Sequence, residues 1–302
     1  MKVLVTGCLG YIGCELLYKL ADTDIEVIGI DNSSEAILSR LGFFSRYKNI
    51  KFMKYDICDD LDQFKDVDLI IHLASVVGYI TCGEQPEEAQ RTNIDGTKNI
   101  VKLNKPTVFL STGSVYGDIG QDCDENVTPR PQTLYSKTKL EGEEIIKTLP
   151  EYVIYRPATA YGLSFKVRHD LLIHNLCQDA VTNNYIELYQ PNASRSFYSV
   201  QKLAELCKFS ITNFSNLSND TYNVGSEKGS ITKRELVNMI QQHIDIKVDI
   251  VEGEDLDKRD YKVNYNKLKD KWSEIDETFN VEQIINYYKN VWILLIIFLL
   301  GF

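Results

Sequence analysis

Histidine is scarce in this chain and cysteine is poorly arranged. The four histidines, His72, His169, His174 and His243, are spread along the sequence, and none of the seven cysteines stands in a C-x-x-C pair. Zinc sites draw on such spacings, so a metal centre has little to build on. An odd thiol count without paired spacing also argues against a disulfide framework. Positive charge is short as well: 33 Lys and Arg against 43 Asp and Glu leave a formal net charge of −10. A surface of that sign repels phosphate backbones, and no basic patch offsets it, so no nucleic-acid partner is expected.

The first strand begins at Lys2 and leaves no room for a signal peptide, so a cytoplasmic chain with reduced thiols is expected. Sequons such as Asn126-Val127-Thr128 then carry no glycan meaning. One long apolar run occurs, Val291 to Phe302, without a single charge. As a helix it spans roughly 18 Å, short of a hydrocarbon core of about 30 Å. It reads as a strand or helix end packed on the body or on a subunit interface. A half-depth membrane anchor and a tail outside the folded body are the alternatives.

What is present is a rhythm. Strand-like runs at Val3–Thr6, Glu26–Ile30, Lys51–Tyr55, Leu69–Leu73, Val108–Ser111 and Val153–Tyr155 alternate with helical segments. Those are Tyr11–Ala21, Pro86–Leu103 and Thr133–Thr148. The alternation predicts a Rossmann-type α/β fold, a doubly wound parallel sheet with helices on both faces. Beyond Tyr161 it loosens into helices at Asp170–Ala180, Val200–Asn213 and Ile231–His243 and strands at Ile186–Tyr189 and Thr221–Val224. Glu235 follows Thr232 by three residues, which predicts a capping box. A Rossmann domain over 1–165, to which 197–226 returns, and a smaller lobe from 166–196 and 227–290 are expected, with 291–302 as a hydrophobic tail.

Thr6-Gly7-Cys8-Leu9-Gly10-Tyr11-Ile12-Gly13 follows the first strand and opens the first helix. Gly7 permits a tight turn, Gly10 lets the backbone approach a pyrophosphate, and Gly13 lets the helix pack on the sheet. Amides at the helix N-terminus, including those of Tyr11 and Ile12, favour phosphate. Asp31, at the end of the second strand, suits two ribose hydroxyls and repels a 2′-phosphate. Asn32, not Arg, follows it, so the reading is NAD over NADP.

Tyr135 and Lys139 stand four residues apart, on one face of a helix. A phenol near pKa 10 is a poor base, and a neighbouring ammonium favours its phenolate. Upstream, Val108–Ser111 runs into Thr112-Gly113-Ser114-Val115-Tyr116-Gly117. Hydroxyls at the carboxyl end of a parallel strand lie where such sheets bind ligands. Thr112 and Ser114 are therefore candidates to touch a substrate, Thr112 holding the oxygen that Tyr135 deprotonates.

Together these residues resemble the extended short-chain dehydrogenase/reductase family, in its sugar-nucleotide epimerase and dehydratase branch, UDP-glucose 4-epimerase among them. The resemblance runs to about Asn290 and takes in Asp56-Ile57, His72-Leu73-Ala74-Ser75, Asn93 and Arg156-Pro157. It implies that Asp56 and Ile57 flank an adenine and that Leu73, Ala74 and Ser75 run beside NAD. Asn93 would lie behind the site, Pro157 would begin the segment at the nicotinamide, and Lys139 would bind its ribose. Arg195-Ser196-Phe197-Tyr198-Ser199-Val200 resembles the family's Arg-x-Phe-x-x-Val stretch, which makes Arg195 a substrate-side candidate with Asn175, Arg259 and Tyr261. A guanidinium suits a diphosphate through paired hydrogen bonds.

The implied activity is NAD-dependent epimerisation of a nucleotide sugar through a transient keto-sugar. Dehydratases of the branch usually carry Asp-Glu where Gly113 and Ser114 stand here, which disfavours dehydration. A keto-sugar reductase is the other alternative. A non-catalytic dinucleotide sensor on the same fold would typically lack Tyr135 or Lys139. The resemblance further implies a homodimer packed through Pro86–Leu103 and Thr133–Thr148.

Overall fold

Strands buried on both faces need near-continuous apolar runs, and the amino-terminal half supplies them. A computed structural model describes residues 1–32, 42–119, 122–252 and 263–300, with side chains described as far as Trp292. The runs form β1 (Lys2–Thr6), β2 (Glu26–Asp31), β3 (Ile50–Lys54), β4 (Leu69–His72), β5 (Thr107–Leu110) and β6 (Tyr152–Pro157). With β10 (Asp220–Val224) they build one seven-stranded sheet in the order β3-β2-β1-β4-β5-β6-β10. Every pairing in it is parallel. The chain leaves β1 towards β2 and β3, then crosses back to β4 on the other side. The carboxyl ends of β1 and β4 therefore flank the crevice where sheets of this topology bind ligands.

Two small sheets complete the chain. β7 (Thr159–Tyr161), β9 (Ser194–Ser199) and β11 (Ser230–Thr232) form one in the order β11-β9-β7, and β8 (Tyr185–Tyr189) pairs with β12 (Lys247–Val251) in the other. They share an apolar core with the helices Leu172–Asn183, Lys233–Gln241 and Glu282–Leu300, through Ile173, Phe197, Leu236 and Ile284. The Lys233–Gln241 helix opens on the capping box expected for it. Glu235 N–H donates to Thr232 Oγ1 at 3.1 Å, and Glu235 Oε2 accepts from Thr232 N–H at 2.7 Å.

Long-range packing changes several expectations. The single helix foreseen over Pro86–Leu103 is broken by a π segment at Arg91–Gly96 between Pro86–Gln90 and Thr97–Lys102. Tyr79–Glu84 is a further helix. Within 197–226, β9 belongs to a small sheet, whereas the Val200–Leu217 helix packs on Tyr11–Leu20 and β10 joins the central sheet. Val263, Tyr265, Leu268, Trp272 and Ile275 pack with the central sheet's core, so the 227–290 stretch divides between two cores. The apolar run from Val291 continues the Glu282–Leu300 helix, and Val291 and Trp292 are exposed rather than packed on the body. Among the described residues no helix is long and apolar enough to cross a membrane.

Candidate active site

The turn after β1 is shaped by what a side chain would strike. Gly7 has φ +65°, and a Cβ there would lie 2.7 Å from Ala74 Cα in the loop after β4. That close approach brings the loops after β1 and β4 together. A Cβ on Gly13 would meet the carbonyl of Gly7, so this glycine serves the turn itself rather than helix-on-sheet packing. The Tyr11–Leu20 helix starts at Gly10 with no side-chain cap and no acidic residue in its first turn. Its leading amides lack intrahelical partners by geometry, and no carboxylate of that turn competes for them. Asp31 closes the turn from β2, accepting the Leu9 N–H at 2.9 Å.

Asp56 lies next to this end of the sheet. Its carboxylate accepts from Cys58 N–H at 2.8 Å, Arg91 Nη2 at 2.9 Å and Asn32 Nδ2 at 3.3 Å. Burial opposes its ionisation, but these donors together hold it below the usual carboxylate range. Ile57 packs in the apolar cluster under β4, and its side chain fills the space where a Cβ on Gly96 would sit.

A directed hydrogen-bond chain runs behind the crevice. Thr6 Oγ1 accepts from Leu73 N–H and Ala74 N–H, both at 3.2 Å. Its own proton therefore goes to His72 Nδ1, 2.7 Å away. His72 Nε2 then donates to Thr97 Oγ1 at 3.1 Å, and Thr97 donates to the Asn93 carbonyl at 2.7 Å. The chain requires neutral imidazole, and burial pulls His72 down to about 3. Asn93 accepts from Ser75 Oγ and Val76 N–H, each at 2.8 Å, and donates to Val76 O and Thr138 Oγ1, each at 3.0 Å. It joins the loop after β4 to the helix bearing Tyr135 and Lys139.

That helix, Leu134–Ile146, is opened by a capping box between Thr133 and Ser136. Tyr135 is half-buried, whereas Lys139 is enclosed with its ammonium 4.1 Å from the Phe109 ring centroid. Burial pulls the ammonium down to about 7, opposed by the charge of Glu143 one turn further on. Gly113–Tyr116 is a tight turn packed against this helix, capped by Thr112 Oγ1, which accepts Ser114 N–H at 3.2 Å. Thr112, Ser114, Pro157 and Arg195 line one cavity, along with Arg156 and Tyr265.

Not every expected residue gathers there. Asn175 is exposed on the Leu172–Asn183 helix and does not line the cavity, because the turn of that helix gives its inner face to Ile173, Leu176 and Cys177. Arg259 and Tyr261 lie outside the described residues. Arg156, Thr159 and Tyr265 also line the cavity, beyond the site residues expected from the sequence. Arg156 stood within a matched motif, so its type was a usable signal. Tyr265 reaches the cavity only through packing of 263–275 on the central core.

A family model described as NAD dependent epimerase/dehydratase family matches residues 3–225. UDP-glucuronic acid decarboxylase 6 of Arabidopsis thaliana is 26% identical over 299 residues, covering 89% of this chain and 82% of that protein. The Bacillus subtilis protein named Uncharacterized UDP-glucose epimerase YtcB is 28% identical over 260 residues, covering 77% and 79%. Among solved structures, the UDP-glucuronic acid 4-epimerase from Bacillus cereus in complex with UDP-glucuronic acid and NAD has a similar fold. Its TM-score is 0.85 at 21% identity, over 96% of this chain and 100% of that one. The parallel sheet, the glycine turn and the match over 3–225 agree: the chain belongs to the NAD dependent epimerase/dehydratase family of enzymes.

Proposed function

We propose that the chain epimerises a nucleotide sugar, oxidising one sugar carbon and reducing it again from the other face. The observation that carries this reading is the helix of Tyr135 and Lys139 packed on the Thr112 turn, beside a cavity lined by Arg195. The uncapped helix end and Asp31 fit a dinucleotide, with the amides of Tyr11, Ile12 and Gly13 for its phosphates. Asp31 and Asn32 would take its ribose, Asp56 and Ile57 would flank its adenine, and Leu73, Ala74 and Ser75 would run alongside it. When bound, NAD accepts a hydride from the sugar carbon and later returns it.

The chain's own residues handle the proton and the geometry. Thr112 Oγ1 accepts one N–H and keeps its proton to donate, which suits it to hold the reacting sugar oxygen. Tyr135 takes the hydroxyl proton from that oxygen and gives it back on the return step. Lys139 favours the phenolate that this requires and would hold the nicotinamide ribose, near Pro157. Arg195 offers a guanidinium to the diphosphate, and Ser114 a hydroxyl to the sugar. Gly113 and Ser114 supply no carboxylate, which disfavours elimination of water. We also propose a homodimer through Pro86–Leu103 and Thr133–Thr148, which a monomeric sedimentation profile would refute.

Incubation of the purified protein with a panel of uridine and thymidine diphosphate sugars, without added cofactor, tests the reading. An epimer is expected as the product. Turnover only with added reduced dinucleotide would assign a reductase, and a pentose with released CO2 a decarboxylase.

A further inference from the structure

Glu143 is fully enclosed one helical turn beyond Lys139, and two neighbours fix its carboxylate. Arg156 holds it as a fork, Nη2 at 2.6 Å from Oε2 and Nε at 3.0 Å from Oε1, and the Ser111 hydroxyl donates to Oε1 at 2.5 Å. Arg156 also donates from Nη1 to the Tyr116 hydroxyl at 3.0 Å, and that hydroxyl donates to Asn223 Oδ1 at 2.8 Å. A buried ion pair adds little stability by itself, because desolvation of both charges offsets their attraction. Its placement has another consequence. Residues i and i+4 share a helix face, so the carboxylate stands over the turn that carries Lys139.

Among the described residues, nothing else around Lys139 supplies a negative charge at neutral pH, and Glu143 itself also faces the Arg156 guanidinium from β6. From β5 comes the Phe109 ring, and from β4 the neutral His72. From the Tyr79–Glu84 helix comes the Cys82 thiol, pushed up to about 11 by burial. On its own helix stand Tyr135 and Glu143. Burial alone would drive a lysine towards the neutral amine, which cannot favour a phenolate. Glu143 opposes that drive.

We propose that Glu143 is a positioning residue for Lys139: its carboxylate, fixed by Arg156 and Ser111, is the counter-charge that keeps the buried ammonium cationic beside Tyr135. This rests on the roles proposed above for Tyr135 and Lys139. It carries a pH signature. Activity needs the cationic lysine, so rate is lost as pH rises through the lysine's pKa. Without Glu143 that alkaline limb moves to lower pH.

The test is the pH profile of kcat for the wild type, Glu143→Gln and the double variant Glu143→Gln/Arg156→Met. The double variant leaves no uncompensated buried charge and so guards against simple misfolding. Glu143→Gln is expected to move the alkaline limb down by about one pH unit, roughly a tenfold loss above it, and the double variant, which also removes the Arg156 positive charge, to move it less in the same direction. Ser111→Ala keeps every charge and is expected to move the limb less, in the same direction; it decides the matter if neither Glu143 variant folds. A limb that stays in place, with the double variant restoring wild-type kcat, overturns the proposal. Lys139→Met is measured alongside. Wild-type turnover in that variant would remove the reading on which the proposal rests, whereas its inactivity with an unmoved limb would remove the proposal alone.

Discussion

The phenol of Tyr11 donates to the Gly162 carbonyl at 2.6 Å, tying the glycine turn to the segment that leads into the smaller core. Ser164 Oγ returns the tie by donating to the Tyr11 carbonyl at 2.7 Å. The mouth of the proposed dinucleotide site is thereby stitched across. Tyr11→Phe removes one buried hydrogen bond, while Gly162 O keeps His174 Nε2 at 3.0 Å. A loss of about 1 kcal/mol is expected, with dinucleotide released on the order of fivefold faster. Thermal melting and the off-rate of bound dinucleotide check it; an unchanged off-rate would mean the stitch does not hold the ligand.

His72 and His174 make the fold acid-sensitive. Burial holds both neutral, pulling His72 down to about 3 and His174 down to about 4. The unfolded chain takes up protons below about pH 6.5, where the folded chain does not. Stability is therefore full above that pH and falls as pH drops towards 4. A melting series from pH 8 to pH 4 should show the decline, and His174→Gln should make it shallower.

Asn93 joins two segments with four hydrogen bonds, and among the other residue types only glutamine, one methylene longer, carries the same amide. Asn93→Ala strands the Val76 N–H, while the Val76 carbonyl keeps the Ser75 hydroxyl at 3.1 Å; a cost of about 1–3 kcal/mol and a lower melting temperature are expected. Asn93→Asp keeps the acceptors and loses both donors, so an intermediate loss is expected. Equal melting of all three proteins would contradict the role given to this side chain.

Arg195 is expected to act on binding rather than on the chemical step. Arg195→Ala should raise KM for a nucleotide diphosphate sugar by roughly 10- to 100-fold, the worth of a charge-assisted hydrogen bond, with a smaller change in kcat. A fall in kcat at constant KM would place the guanidinium at the reacting carbon instead.

Local signals were legible and long-range ones were not. The strands of the central sheet declare themselves as apolar runs, and the glycine turn, the Thr232–Glu235 box and the Tyr135–Lys139 spacing are contained within a few residues. The π segment at Arg91–Gly96 is invisible because it answers to a tertiary demand: Asn93 must reach both Val76 and Thr138. The pairing of Glu143 with Arg156 joins a helix to a strand, and neither residue's neighbours in sequence announce it. Asn175 was placed by resemblance, which does not fix the rotation of its helix.

The central claim is that the hydride leaves a sugar carbon and returns to it without leaving the enzyme. A nucleotide sugar deuterated at the carbon whose configuration changes, incubated with protein and no added dinucleotide, tests this directly. The account predicts an epimerised product that retains the deuterium on that carbon, and it predicts that Tyr135→Phe slows the conversion by about 10²- to 10⁴-fold. Deuterium lost to water, or carried off only when exogenous dinucleotide is supplied, would contradict it.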